Sequence, residues 1–143
     1  MKKVQKLVGE IPISAVSVLA EKAGEETRSV KDIVFIHMSW GGAWAFSFYI
    51  KFFARNGYNC HAFDLRGHGE SGGTVEGATM QDYVDDVRTV VMELDLNNPI
   101  VIGHSMGGLI ALMYSAQYGS SATVSLDGSP SLEVQKTSEE KKY

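Results

Sequence analysis

Residues 100–108 read Ile-Val-Ile-Gly-His-Ser-Met-Gly-Gly, and the interpretation of the whole chain starts from this stretch. Its first three residues are an apolar, β-branched run, which is typical of a strand buried on both faces. The small residues that follow predict a sharp turn into a helix. Gly103 to Gly107 fits the pattern G-x-S-x-G, in which a serine sits on a strained turn between a strand and a helix. We therefore predict a positive φ for Ser105 and an exposed hydroxyl.

Strand-like and helix-like segments alternate outward from this turn. Apolar residues with the i, i+3, i+4 spacing of one buried helix face make Thr79–Leu94 the clearest helix, with Thr79 and Asp82 resembling a capping box. Further helices are predicted at Trp44–Arg55 and Ser105–Tyr118, and strands near Val4–Val8, Ser14–Leu19, Ile33–Ile36, Tyr58–Leu65, Ile100–Ile102 and Ala122–Leu126. This alternation predicts an α/β fold, with about six strands in a mostly parallel sheet and helices on both faces.

The composition limits what kind of protein this is. The chain has 143 residues, enough for one domain, and a net charge of -4 gives no basic footprint for nucleic acid or membranes. The single cysteine, Cys60, excludes an internal disulfide. Ile33–Ile50 has no charged residue and approaches the length of a membrane span, but its polar residues and its glycine pair indicate a strand, a turn and a helix start. We therefore expect a cytoplasmic protein.

Two further segments give the chain a family resemblance. Residues 37–44, His-Met-Ser-Trp-Gly-Gly-Ala-Trp, resemble the loop H-G-x-x-G-x-x-W that supplies an oxyanion N–H group in α/β-hydrolases. Residues 64–71, Asp-Leu-Arg-Gly-His-Gly-Glu-Ser, resemble the family segment D-x-R-G-x-G-x-S after the fourth strand. With residues 103–108, these motifs stand in the order and spacing of the family up to about Pro130. The chain thus resembles the N-terminal half of an esterase-like or lipase-like serine hydrolase.

The resemblance implies a mechanism and a site. Ser105 would be the nucleophile, the N–H groups of Ser39 and Met106 would form the oxyanion hole, and no cofactor would be needed. The substrate class would be a small carboxylic ester or a related acyl compound. Met38 stands where the family usually has glycine, which tolerates backbone dihedrals that methionine does not. The shape of the oxyanion loop is therefore expected to depend on Met38.

The base is the missing part of this mechanism. In this fold the catalytic residues follow the chain order Ser, then Asp or Glu, then His. All four histidines precede Ser105: His37, His61, His68 and His104. His37 and His68 lie on loops expected near the pocket, but the family gives neither the role of base. The histidines and the cysteine also lack the spacing of metal ligands.

Asp127 is the one candidate for the acid. It ends the last predicted strand, one strand earlier than the family usually places its acid. Because Asp127 precedes Gly128, a turn-forming Asp-Gly pair is the more ordinary explanation.

Two alternatives to a hydrolase remain open. The chain could be a truncated, non-catalytic piece, with residues 1–130 forming a partial hydrolase domain and residues 131–143 a polar C-terminal tail. Its last strand would then lie unpaired at a sheet edge and invite self-association or completion by another chain. Residues 67–72 also match the dinucleotide pattern G-x-G-x-x-G, with Glu93 at a suitable distance. That pattern must open a helix immediately, whereas the next helix is predicted only from Thr79.

Overall fold

A computed structural model describes residues 3–21, 30–132 and 134. The strands are β1 (Lys3–Val8), β2 (Ile13–Val18), β3 (Lys31–Ile36), β4 (Tyr58–Phe63), β5 (Ile100–His104) and β6 (Ala122–Leu126). The helices are α1 (Ser47–Arg55), preceded by a 3-10 turn at Ala43–Phe46, then α2 (Met80–Glu93) and α3 (Met106–Tyr118).

One six-stranded sheet holds all of these strands, in the order β1-β2-β4-β3-β5-β6. β1 pairs antiparallel with β2, and β2 pairs antiparallel with β4. The pairs β4–β3, β3–β5 and β5–β6 are parallel. The predicted α/β fold with a mostly parallel sheet is therefore confirmed.

Two apolar layers enclose the sheet. α2 and α3 pack on one face, where Val34, Ile36, Phe63, Val87 and Ile110 are buried together. On the other face α1 covers Ile33, Phe35, Cys60 and Ile102. Each large aliphatic or aromatic side chain buried in this way contributes about 1.5–3 kcal/mol to stability. The predicted placement of helices on both faces is thus confirmed.

Three element boundaries differ from the prediction by one to three residues. The helix predicted from Trp44 begins as a 3-10 turn and becomes α-helical only at Ser47. β4 ends at Phe63 instead of Leu65, where the chain enters the Asp64 loop. Thr79 lies just outside α2 as its N-cap, and its side chain and that of Asp82 form the predicted capping box.

The far edge of the sheet is β6, which has only β5 as a neighbour among the described residues. Val124 on this strand is 38% exposed. Most of the predicted polar tail, residues 131–143, lies outside the described residues. Within the described ranges, no helix is both long and apolar enough to cross a membrane.

Candidate active site

The loops that carry the three motifs meet at the carboxyl ends of the parallel strands. The loops after β3 and β4, the turn after β5 and the segment after β6 all lie at this edge, which is where open α/β sheets bind their ligands. Ser105 N–H donates to Leu126 O at 2.9 Å, and Ser105 O accepts from Ser129 N–H at 3.0 Å. These two bonds join the turn after β5 to the segment after β6.

Ser105 itself occupies a strained backbone position. It lies between β5 and α3 with φ 54° and ψ -119°, as the motif predicts. Glycine is required on both sides because a Cβ at Gly103 would collide with the carbonyl of Gly107, and a Cβ at Gly107 with the carbonyl of Ile36. α3 therefore starts in direct contact with the end of β3. Its N-terminus directs backbone N–H groups and the positive end of the helix dipole toward Ser105.

Ser39 and Met106 lie side by side at this turn. The Ser39 hydroxyl donates to the Met106 sulfur at 3.3 Å. In the described part of the chain, the backbone N–H of neither residue donates a hydrogen bond. Two backbone donors next to a strained serine are the parts from which an oxyanion hole is built. Convergence of these two N–H groups on one point remains a prediction.

The loop after β3 accommodates Met38 without left-handed backbone. The positive φ in this loop belongs to Trp40, at 57°, and Met38 has none. Gly41 N–H donates to Met38 O at 3.1 Å, and a Cβ on Gly41 would collide with the Met38 sulfur. Because Met38 has no positive φ, the dihedral cost expected for methionine is not incurred. Gly41 leaves room for the Met38 side chain.

Asp64 fastens the second motif to the first. Its carboxylate accepts from Ala43 N–H at 2.8 Å and from Glu70 N–H at 3.0 Å. The same residue's carbonyl accepts from the Ser71 hydroxyl at 2.5 Å. A buried carboxylate that serves backbone donors in this way holds loops in place, which is the structural role expected for this segment.

His37 has no free ring nitrogen. Its Nδ1 donates to Met38 O at 2.6 Å, and its Nε2 accepts from Leu65 N–H at 2.9 Å. The ring is completely buried, and this burial lowers the pKa of His37 below its usual value. An imidazole that is occupied on both sides cannot accept a proton from Ser105.

His68 is occupied in the same way. Its Nδ1 donates to Arg66 O at 3.0 Å, and its Nε2 accepts from Trp40 N–H at 3.3 Å. The His37 and His68 rings meet edge to face, with 4.9 Å between centroids. Both histidines lie on the loops that carry the motifs, but neither offers the nitrogen that a base requires.

His61 forms a Ser–His–Asp arrangement in a different part of the sheet. Its Nδ1 accepts from the Ser17 hydroxyl at 2.8 Å, and its Nε2 lies 2.9 Å from Asp32 Oδ1. Strand pairing puts His61 level with Val101 on β5. Ser105 is four residues further along, about 13 Å at the rise of a strand. His61 therefore cannot reach Ser105, and no pattern in the sequence predicts this cluster.

The Ser17 cluster also lacks the surroundings of a catalytic serine. Ser17 lies inside β2, which is paired on both sides, with Val4 of β1 and with His61 of β4. Backbone N–H groups in such a strand are used by the sheet, so they are not available to stabilise an oxyanion. The arrangement instead satisfies the polar atoms of a histidine that is 5% exposed.

His104 and Asp127 complete the set of candidate residues. His104 lies on the same face of β5 as Ile102, which packs in the α1 layer. Asp127 is exposed, with a φ of 46° directly before Gly128, a conformation that aspartate adopts more readily than most residues. This geometry fits the turn-forming interpretation of Asp127.

The described residues give no basis for a metal or a dinucleotide. No group of three or more His, Cys, Asp or Glu side chains among them could hold a metal ion. The glycines of residues 67–72 are followed by a further loop, and α2 begins only at Met80. The strand-turn-helix junction that binds a pyrophosphate is therefore not formed there.

Comparison with known proteins agrees with the geometry. A family model described as alpha/beta hydrolase fold matches residues 32–141. A non-heme chloroperoxidase of Burkholderia pyrrocinia is 39% identical over 98 residues, which are 66% of this chain and 34% of that protein. A monoacylglycerol lipase of Mycolicibacterium smegmatis is 42% identical over 71 residues, 46% of this chain and 25% of the lipase.

Solved structures extend the match to almost the whole chain. A structure from a study of carboxylesterases of Nitrososphaera gargenis superposes with a TM-score of 0.72 and 27% identity, covering 95% of this chain and 52% of that one. The chain thus spans about a third of the chloroperoxidase and about half of the thaumarchaeal protein. The family match covers most of the chain and includes all three motif loops, so the chain belongs to the α/β-hydrolase fold family.

Proposed function

We propose that this chain carries the nucleophile and the oxyanion hole of a serine hydrolase that acts on a small carboxylic ester or a related acyl compound. The observation that supports this most directly is the left-handed backbone of Ser105, with φ 54°, at the junction of β5 and α3. Two free backbone donors, from Ser39 and Met106, lie beside it. The relatives that are esterases and lipases favour the same substrate class.

The proposed reaction has two steps. Ser105 Oγ attacks the ester carbonyl while a base removes its proton, and the N–H groups of Ser39 and Met106 stabilise the oxyanion. The intermediate collapses to an acyl-serine, and the alkoxide leaves with the proton. Water then hydrolyses the acyl-serine and regenerates the hydroxyl. The base must be a group other than these four histidines. The ring nitrogens of His37, His68 and His61 are already hydrogen-bonded to other residues, and His104 faces the α1 layer.

A second candidate function follows from that missing base. The chain would be a non-catalytic piece that another polypeptide completes by adding strands at β6 and supplying the acid and the base. The observation in its favour is the exposed edge of β6 next to a formed Ser105 turn. We also propose a cytoplasmic location, since the one cysteine of the sequence, Cys60, leaves no internal disulfide to favour an oxidising compartment.

Chemical rescue tests the nucleophile directly. We expect a fluorophosphonate probe to phosphonylate Ser105 slowly, with loss of fluoride, and free imidazole to accelerate the labelling at least several-fold by acting as the absent base. Peptide mass spectrometry identifies the labelled serine. Ser105→Ala should abolish labelling and Ser17→Ala should not change it. Labelling that survives Ser105→Ala would refute the assignment.

Self-association is a second expected property. The free backbone groups of β6 and the exposed Val124 should allow two copies to pair edge to edge. We expect light scattering to show dimers or larger species whose fraction rises with concentration, and Val124→Lys to reduce that fraction. Met92→Lys replaces an equally apolar side chain, 62% exposed on α2, and should have no effect. A monomer at every concentration would contradict this prediction.

A further inference from the structure

We propose that His37 and His68 form a latch of two neutral imidazoles that holds the oxyanion loop, residues 37–41, against residues 64–69 and opens on protonation. The latch makes both histidines positioning residues, and its importance for catalysis rests on the proposed function. Each ring bonds one residue of the first loop and one of the second. His37 joins Met38 to Leu65, and His68 joins Trp40 to Arg66.

The hydrogen-bond partners fix the protonation state of each ring. Met38 O and Arg66 O can only accept, so Nδ1 carries the proton in both histidines. Leu65 N–H and Trp40 N–H can only donate, so both Nε2 atoms must be unprotonated. A proton on either Nε2 would turn an acceptor into a donor that faces another donor. The latch therefore exists only while both imidazoles are neutral.

Trp40 is the part of the loop that depends most on the latch. Its backbone is left-handed at φ 57°, which is unfavourable for a bulky residue, and its side chain is 82% exposed. Little packing of its own side chain therefore holds it in place. The recorded hydrogen bond of its N–H is the one to His68 Nε2. Losing that bond should let residue 40 relax and move Ser39, the adjacent proposed oxyanion donor.

The surroundings of His37 favour its neutral state overall. Burial lowers the pKa of His37 most strongly and the neighbouring His68 lowers it further, against the hydrogen bond to Met38 and the charge of Asp64, which both raise it. Tyr83 meets the His68 ring edge to face, and the Arg66 side chain is engaged by Asp86. Since a lowered histidine pKa means that the unfolded chain binds more protons, the stability from His37 is present at neutral pH and falls on acidification below about pH 6.5.

Amide hydrogen exchange measured by NMR tests the latch on the intact chain. We expect the Trp40 amide to be protected at about pH 7 and to lose at least tenfold of its protection factor by about pH 5, the range in which histidines titrate. His68→Gln keeps an acceptor that does not titrate, so its Trp40 amide should stay protected at both pH values. His68→Phe keeps a ring without an acceptor, so protection should be absent at both.

The Val101 amide, in the centre of the sheet, reports on global unfolding in the same spectra. Trp40 protection that does not depend on pH, or that survives in His68→Phe, would overturn the latch. A loss of protection that Val101 shares would overturn it as well, because the opening would then be global. None of these readouts requires turnover, so failure of the proposed hydrolase function would appear separately, as absent labelling of Ser105.

Discussion

The purified chain should hydrolyse nitrophenyl acetate very slowly or not at all. A serine hydroxyl is a weak nucleophile without an adjacent base, and His37, His68 and His61 are all committed to other partners. In serine hydrolases, loss of triad members leaves only what the oxyanion hole and substrate binding contribute, about 10³–10⁴ over water. We therefore expect any turnover to lie several orders of magnitude below that of a complete hydrolase.

The variants for this measurement separate the possible outcomes. Ser105→Ala should remove all turnover that passes through an acyl-serine and leave at most the residual rate due to the oxyanion hole and binding, while His61→Gln, far from Ser105, should not change turnover. Robust turnover that Ser105→Ala abolishes would mean that a base has been missed. Loss of such turnover in His37→Ala or His68→Ala would not by itself identify a base, because both rings are proposed to hold the oxyanion loop. His68→Gln keeps the acceptor but cannot act as a base, so turnover that survives in His68→Gln would exclude His68 as the base. Robust turnover that Ser105→Ala does not reduce would place the activity at a different site.

The sequence predicted the features that depend on local pattern. The motif places glycines on both sides of Ser105, at positions where any Cβ would collide with backbone. The same tight turn gives Ser105 its φ of 54°, so the motif predicts both. The apolar spacing of α2 and its capping box are likewise properties of neighbouring residues. The alternation of strands and helices was enough to predict the mostly parallel sheet.

Features that depend on contacts between distant segments could not be predicted in this way. Nothing near His68 in the sequence shows that its ring accepts from Trp40, 28 positions away. The Ser17–His61–Asp32 arrangement also arises only when three strands align. The shape of the oxyanion loop was expected to depend on Met38, but the room that Gly41 leaves for its side chain became visible only in the fold. Whether a histidine could act as a base therefore depends on its hydrogen-bond partners in the folded chain, which its sequence neighbours do not reveal.

We expect a large loss of stability when the buried Asp86 is replaced, compared with replacement of an exposed aspartate on the same helix. This carboxylate is 1% exposed and accepts from the Arg66 side chain at 2.8 and 2.9 Å and from Arg66 N–H at 2.9 Å. These bonds join α2 to the loop that carries His68. Removing one partner of such a pair leaves a charge without its counterion, which typically costs about 3–5 kcal/mol.

Asp86→Ala should therefore lower the free energy of unfolding by about 3–5 kcal/mol, as measured by urea denaturation at neutral pH. Asp85→Ala is the matched control, because Asp85 is exposed on the same helix and its recorded bond is to the Gln81 side chain. That change should stay within about 0.5 kcal/mol of the parent. Since Asp82 also lies 3.4 Å from the Arg66 guanidinium, a loss below about 1 kcal/mol for Asp86→Ala would mean that Asp82 replaces it as counterion. In that case the double variant Asp82→Asn with Asp86→Ala should lower the free energy of unfolding by about 3–5 kcal/mol. A small change in the double variant as well would refute the Arg66–Asp86 pair as a main support of this loop.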